Sequence, residues 1–343
     1  MRNIKKIGNQ TIKLEFPPKI ISAFSIVGPK EGEGPLKSYF DEILNDEMCG
    51  KESYEKAESD IMYNAIKGAI GRANLKEEDV DYLFAGDLLN QIISSSFAAR
   101  ELSIPFFGLY GACSTMSESL SLGALIMDGG FAKNVVCSTS SHFCAAERQF
   151  RFPLEYGAQR SKTAQWTVTG SGAMVLGREG DFPEITYVTT GIVKDYGIKD
   201  PNNMGAAMAP AAVDTIYAHF KDTGRAPEYY DVIATGDLGR VGTKICNNLM
   251  LEYGYDIRGN HIDCGDIIFN NEAQGTESGG SGCGCSAAVS SGYLYKKIMR
   301  KEIKNFLLVS TGALMSTTSS LQGETIPGIA HAIAVEMKGD KIC

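Results

Sequence analysis

Histidine is scarce in this chain: four in 343 residues, beside a single tryptophan. A thiol nucleophile needs a base, and a zinc site needs clustered ligands, so scattered imidazoles narrow both possibilities. No uninterrupted apolar stretch reaches membrane-spanning length, so any work at a membrane is done from its surface or through a partner. The opening MRNIKK is basic, but Gly8-Asn9-Gln10 and Lys13 interrupt the apolar core that a secretory signal needs. No Lys/Arg stripe is interleaved with aromatics, and the formal charge is −8, which leaves no positive face for nucleic acid. The Gly-rich turns match neither a P-loop nor the dinucleotide pattern after a strand. Nine cysteines make an odd, scattered set, and the close pair Cys283/Cys285 has no second pair or nearby His to complete a zinc site. Reduced thiols in a cytosolic compartment are the simplest reading.

What remains is a soluble globular composition, 43% hydrophobic and 22% charged, with 38 glycines, many of them at turns between apolar runs. Close-packed α/β units need such turns. The chain is organised around Gly111-Ala112-Cys113-Ser114-Thr115-Met116-Ser117-Glu118. An apolar run from Ile104 to Leu109 reads as the strand before it. Leu120, Leu122, Ala124, Leu125 and Met127 read as a buried helix after it, stopped by Gly129-Gly130. Cys113 then sits where a strand becomes a helix, and unpaired amides with the helix dipole favour its thiolate there. A buried, inert thiol among small residues is the other reading.

The rest of the chain alternates strand and helix. A helix is expected over 53–73, a strand over 82–85, a small-residue helix over 91–102 and a strand over 135–139. This is α/β arithmetic with parallel pairing. A polar excursion over 140–168 carries His142, Glu147, Arg148, Arg151, Arg160, Lys162 and Trp166, and a connection of that length is usually functional. Later strands are expected near 185–191, 231–235, 306–311 and 329–337. The halves echo each other: AGDL at 85–88 matches TGDL at 235–238, and Cys113-Ser114 aligns with Cys285-Ser286. Duplication divides the chain into 1–180, which carries Cys113, and 181–343, with a cleft between them as a natural ligand site.

Among candidate chemical groups, His142 follows the 135–139 strand and can reach Cys113 as a base, or be structural. His219, His261 and His331 sit in positions that suit exposed, turn or core roles. Arg148, Arg151, Arg160 and Lys162 are the only dense positive cluster. They suit capture of a carboxylate or phosphate, or simply form a solvated loop face. Ser171 in TGSGA and Ser281 in GGSG can add hydroxyls beside exposed amides.

GACSTMSE, SSHFCAAERQFRFPLEYG, TVTGSGA, TGDLG and ESGGSGCGCSA together make the chain resemble the thiolase superfamily, and within it a branch found in spore-forming bacteria. The resemblance implies a duplicated, five-layered α/β/α/β/α fold with Cys113 at the acyl-accepting position. It also implies a homodimer paired through residues 135–139. It implies binding of dipicolinic acid, free or as a Ca²⁺ complex and with no other cofactor, alongside membrane proteins of the same operon at the forespore inner membrane. Thr235-Gly236-Asp237 stands where ketoacyl synthases place a His. Gly279-Gly280-Ser281-Gly282 replaces the thiolase Gly-His-Pro motif, and Gly312-Ala313-Leu314 has no second Cys. With the nucleophile kept and the base lost, the cleft is expected to bind rather than react. The ligand's carboxylates would meet Cys113, Ser114 and Ser171, helped by His142, Lys162 or Arg148. The alternative is an acyltransferase using acyl-coenzyme A, with Cys113 as nucleophile and His142 as base.

Overall fold

Ten strands form two five-stranded arrays with the same internal order. In the first half they are β1 (Lys19–Val27), β2 (Tyr82–Gly86), β3 (Phe106–Gly108), β4 (Val135–Ser141) and β5 (Gly170–Gly177). In the second they are β6 (Glu184–Thr189), β7 (Val232–Thr235), β8 (His261–Asp263), β9 (Asn305–Ala313) and β10 (Gly328–Glu336). The structure is a computed structural model that describes residues 5–150 and 160–338. The first array runs β3-β2-β4-β5-β1 and the second β8-β7-β9-β10-β6. Adding five to each label of one array reproduces the other, so the echo between AGDL and TGDL is an echo of topology. The arrays meet where Lys19 of β1 lies opposite Glu184 of β6. β2 runs parallel to β4 and β7 to β9, as the strand–helix alternation requires.

Helix α1 (Tyr54–Arg72) starts at Ser53, whose hydroxyl accepts from the Lys56 amide, so the expected helix is present with its cap. It covers the outer face of the first array with α2 (Ile93–Arg100). The long excursion is not all loop: Phe143–Phe150 is helical, and Arg151 lies outside the described residues. Helix α3 (Thr115–Asp128) follows Cys113, α4 (Phe143–Phe150) follows β4, and α5 (Met204–Thr223) and α6 (Gly239–Glu252) cover the second array. Helix α7 (Cys283–Val289) continues through a π turn, Ser290–Leu294, to Met299.

Helices α3 and α7 lie between the two arrays, and their small residues let them fit there. A Cβ on Gly123 would stand 2.9 Å from the Cys137 sulfur, and one on Gly172 would stand 2.2 Å from the Ala287 carbonyl. Buried hydroxyls stitch the layers: Ser117 donates to Ser310 at 2.7 Å and Thr139 donates to the Cys283 carbonyl at 2.9 Å. Leu120 is fully buried in this middle layer. Leu120→Ala is expected to cost about 2–5 kcal/mol, read from the urea midpoint, because the surrounding layers cannot collapse onto the void.

The expected dimer strand needs correction. Residues 135–139 belong to β4, which is hydrogen-bonded to β2 on one side and β5 on the other and is wholly buried. A strand paired on both edges has no groups left for a partner chain. The end strand of the first array is β3, and its Phe107 is exposed. Near the start of the chain, Thr11–Lys13 pairs with β6, and Lys37–Tyr39 makes a short 3-10 turn.

Candidate functional site

Leaving β3, the chain turns sharply and enters α3. Ala112 at the turn has φ of 50°, a left-handed backbone that a residue with a side chain adopts at some cost. The turn is held by Ser114 Oγ donating to the Gly111 carbonyl and Thr115 Oγ1 donating to the Ala112 carbonyl, both at 2.7 Å. The predicted strand-to-helix elbow is therefore present, and it aims Cys113 into a pocket between the halves.

That pocket encloses about 500 Å³ of space, its open mouth included. Leu88, Ala146 and Phe150 wall it from the first half, and Pro201, Met204 and Met315 from the second. Cys113 and Ser281 lie at its floor, with Tyr110, Thr167 and Glu147 as the other polar groups. Sequence reading found Cys113 but not the walls, because Pro201 and Met315 lie outside the helices and strands and Met204 stands at the very start of its helix.

The Cys113 thiol is not the thiolate that the helix start suggested. Burial drives its pKa well above the ordinary thiol value, and the Asp237 carboxylate beside it pushes in the same direction. Only the Gly282 amide pulls it down. Desolvation and a like charge thus outweigh the amides and dipole of α3. Asp237 is itself raised by burial, to about 6, against the pull of donors from Gly282, Thr311, Cys113 and Ser281. The sequence signal for Asp237 was the repeated TGDL. Its counterpart, Asp87, accepts from the amides of Leu89 and Ser95 at 2.8 and 2.7 Å and from the Ser95 hydroxyl at 2.6 Å, so it caps a turn.

The other expected site residues lie elsewhere. Ser114 spends its hydroxyl within the elbow, and Ser171 donates to the Thr139 carbonyl at 2.9 Å. His142 is buried, with Nε2 2.8 Å from the Glu47 carbonyl oxygen and Nδ1 accepting from the Cys144 amide at 3.2 Å. Burial lowers its pKa. Arg148 is ion-paired with Glu55 and stacks over Tyr54, on the α1 side. Lys162 is 89% exposed and pairs with Glu277 at 2.9 Å. Arg160 pairs with Glu147 at 3.1 Å and stacks on Trp166, which makes it the member of the cluster bound to a pocket residue. Long side chains take the partner that the fold supplies, and a dense run of basic residues does not reveal which.

The remaining imidazoles are also committed. His219 lies between Thr189 and Tyr230, His261 between Asn247 and Thr235, and His331 accepts from the Gly191 amide. None lines the pocket. Among the described residues, no group of three or more His, Cys, Asp or Glu is placed to hold a metal ion, and the eight described cysteines are free. The arrangement keeps the elbow of a thiol acyltransferase without an imidazole to take its proton.

Comparison with known proteins agrees with this geometry. The family described as Stage V sporulation protein AD (SpoVAD) matches residues 8–336. Stage V sporulation protein AD of Bacillus subtilis (strain 168) is 46% identical over 336 residues, covering 98% of this chain and 99% of that protein. Among solved structures, a variant of OleA from Xanthomonas campestris matches with a TM-score of 0.61 at 15% identity, covering 94% of this chain and 99% of that one. The 3-oxoacyl-[acyl-carrier-protein] synthase III of Aquifex aeolicus VF5 matches with a TM-score of 0.56 at 14% identity, covering 93% and 99%. At those identities the two structures speak for the shared thiolase-like fold alone. The chain belongs to the stage V sporulation protein AD family, on the thiolase-like fold.

Proposed function

We propose that this protein binds pyridine-2,6-dicarboxylate (dipicolinate), free or as its calcium complex, as a component of the machinery that loads it into the developing spore. The observation that carries the reading is the pocket at Cys113: apolar walls from both halves, a few polar groups at the floor, and no imidazole. Leu88, Phe150, Met204 and Met315 can sandwich a planar ring, and Met sulfur adapts to an aromatic face. Tyr110, Thr167 and Ser281 replace Ser114, Ser171, Arg148 and Lys162 as the polar contacts we assign to the ligand. Calcium would enter with the ligand, since a chelate carries less negative charge past Glu147 and Asp237.

The homodimer belongs to the same reading, formed through the end strand β3 rather than β4. So does attachment to the inner spore membrane through membrane proteins of the same operon. Among the described residues no helix is long and apolar enough to cross a membrane. Calorimetry with dipicolinate on the purified protein tests the central claim. Saturable heat is expected, retained but weakened in Cys113→Ala, whose thiol serves as lining. No saturable heat at millimolar ligand sinks it, and a Cys113-dependent acyl adduct after incubation with acyl-coenzyme A would favour the acyltransferase instead.

A further inference from the structure

Asp237 gathers the hydrogen-bond donors beneath the pocket floor. Its Oδ2 accepts from the Gly282 amide at 2.9 Å and from the Ser281 hydroxyl at 3.4 Å, and its Oδ1 accepts from Thr311 Oγ1 at 2.8 Å. The Cys113 thiol is a fourth donor to the same carboxylate. Two of these donors, Cys113 and Ser281, line the pocket. With their protons turned towards Asp237, they turn lone pairs towards the ligand. Glu147 adds another acceptor from the side.

We propose that Asp237 determines which form of ligand the pocket accepts: while ionised it makes the floor acceptor-only, so a carboxylate-bearing ligand binds together with one proton, whereas a neutral ring with donors binds with none. The proton comes from solvent and settles on Asp237, which frees the Ser281 hydroxyl and the Cys113 thiol to donate to the incoming carboxylate. This rests on the reading of the pocket as a dicarboxylate site. Two carboxylates separated only by the Ser281 hydroxyl and the Cys113 thiol in a dry site cannot both stay ionised at small cost, so one takes a proton.

The groups around Asp237 leave it without a countercharge. From the α3 elbow comes Cys113, from α7 come Cys283 and Cys285, and from the segment after β8 comes Cys264, all thiols that burial keeps protonated. Asp263, at the end of β8, is raised to about 7, and its oxygens are taken by the amides of Leu238, Gly239 and Asp266 and by Thr235. His261, on the far side of Thr235, is kept neutral by burial, which lowers it to about 4. Gln165 donates to the Asp237 carbonyl rather than to its carboxylate. Among the described residues, no basic side chain forms an ion pair with Asp237. Burial raises Asp237 to about 6, so it can take up a proton just below neutral pH.

Calorimetry decides the matter with two probes, pyridine-2,6-dicarboxylate and the neutral pyridine-2,6-dicarboxamide. Each is titrated at pH 7.5 and 5.5 in two buffers of different protonation enthalpy, with the ligand's own titration subtracted. The dicarboxylate should take up about one proton at pH 7.5 and less at pH 5.5, binding about tenfold tighter per pH unit down to 6. The diamide should take up none, and its affinity should hold at pH 7.5 and weaken at pH 5.5 as Asp237 takes a proton. Asp237→Asn should remove both the uptake and the pH dependence, and if it fails to fold the wild-type buffer comparison decides alone. Dicarboxylate binding with no proton uptake overturns the proposal and leaves the ligand reading standing. Diamide binding with no dicarboxylate binding at either pH sinks the ligand reading and supports the acceptor floor. Heat from neither probe overturns both.

Discussion

Iodoacetamide should alkylate Cys113 at pH 7.5 at least about a hundredfold more slowly than it alkylates a free thiol, because only the thiolate reacts and very little of it forms. The thiol lines the pocket but is only 5% exposed, so burial slows the reagent's approach as well as the loss of the proton. The two largest influences on its ionisation, burial and the Asp237 carboxylate, both favour the protonated form. The pH profile separates charge from access. A thiol held far above its ordinary pKa gives a rate that climbs about tenfold per pH unit through pH 9 without levelling. A merely obstructed thiol levels off near the ordinary value, at a low ceiling. Asp237→Asn removes the charge and should raise the rate at pH 7.5, with modification located by peptide mass spectrometry. A fast reaction that levels off near pH 7 would mean an activated thiolate, and would return the acyltransferase to contention.

The reactivity of Cys113 shows where sequence reading reached and where it stopped. The elbow was legible because its signals are local: an apolar run, a small-residue turn, then a periodic apolar face over residues 120–127. The duplication was legible for the same reason, since AGDL and TGDL close equivalent strands, and the matching strand orders follow from it. The charge at the thiol was not, because it depends on Asp237 and the 281–282 turn, which fold back from the other half of the chain. Spatial strand order was equally hidden. Residues 135–139 follow the Cys113 helix in sequence, yet they fall between β2 and β5 rather than at an edge. Arg148 and Lys162 failed as pocket residues because Glu55 and Glu277 reach them first.

Thermal stability should rise as the pH falls from 8.5 to about 6.5. The cause is a set of acids whose burial raises their pKa: Glu31 to about 8, Asp263 to about 7 and Asp237 to about 6. Glu58, wholly buried with Ser140 bound to one oxygen and no partner on the other, moves the same way. An acid raised in the folded state holds more protons folded than unfolded at every pH between its two pKa values. The folded state therefore loses ground as the pH climbs from the unfolded value, near 4, through the folded one. For Glu31, Asp263 and Asp237 the combined loss between pH 6.5 and 8.5 is about 3 kcal/mol; His219, lowered to about 3, and His261 and His331, lowered to about 4, bind protons only when unfolded and offset about 1 kcal/mol of it, which leaves roughly 3 °C in Tm. The buried imidazoles, held low, work in the opposite direction below about pH 6.5, and acids held low by partners do so in more acidic solution. Asp41 between Lys296 and Arg72, and Glu336 beside Arg225, lose their stabilising charge as the pH drops below about 4. Stability should accordingly peak between these two regimes. Calorimetric scans at half-unit steps of pH test the claim: a Tm that is flat or rising from pH 6.5 to 8.5 would mean that these carboxyls are not buried as protonated acids. Glu31→Gln should flatten the alkaline limb, because the amide keeps the shape and cannot ionise, whereas Asp87→Asn would remove the acceptor of three hydrogen bonds and cannot serve as the control.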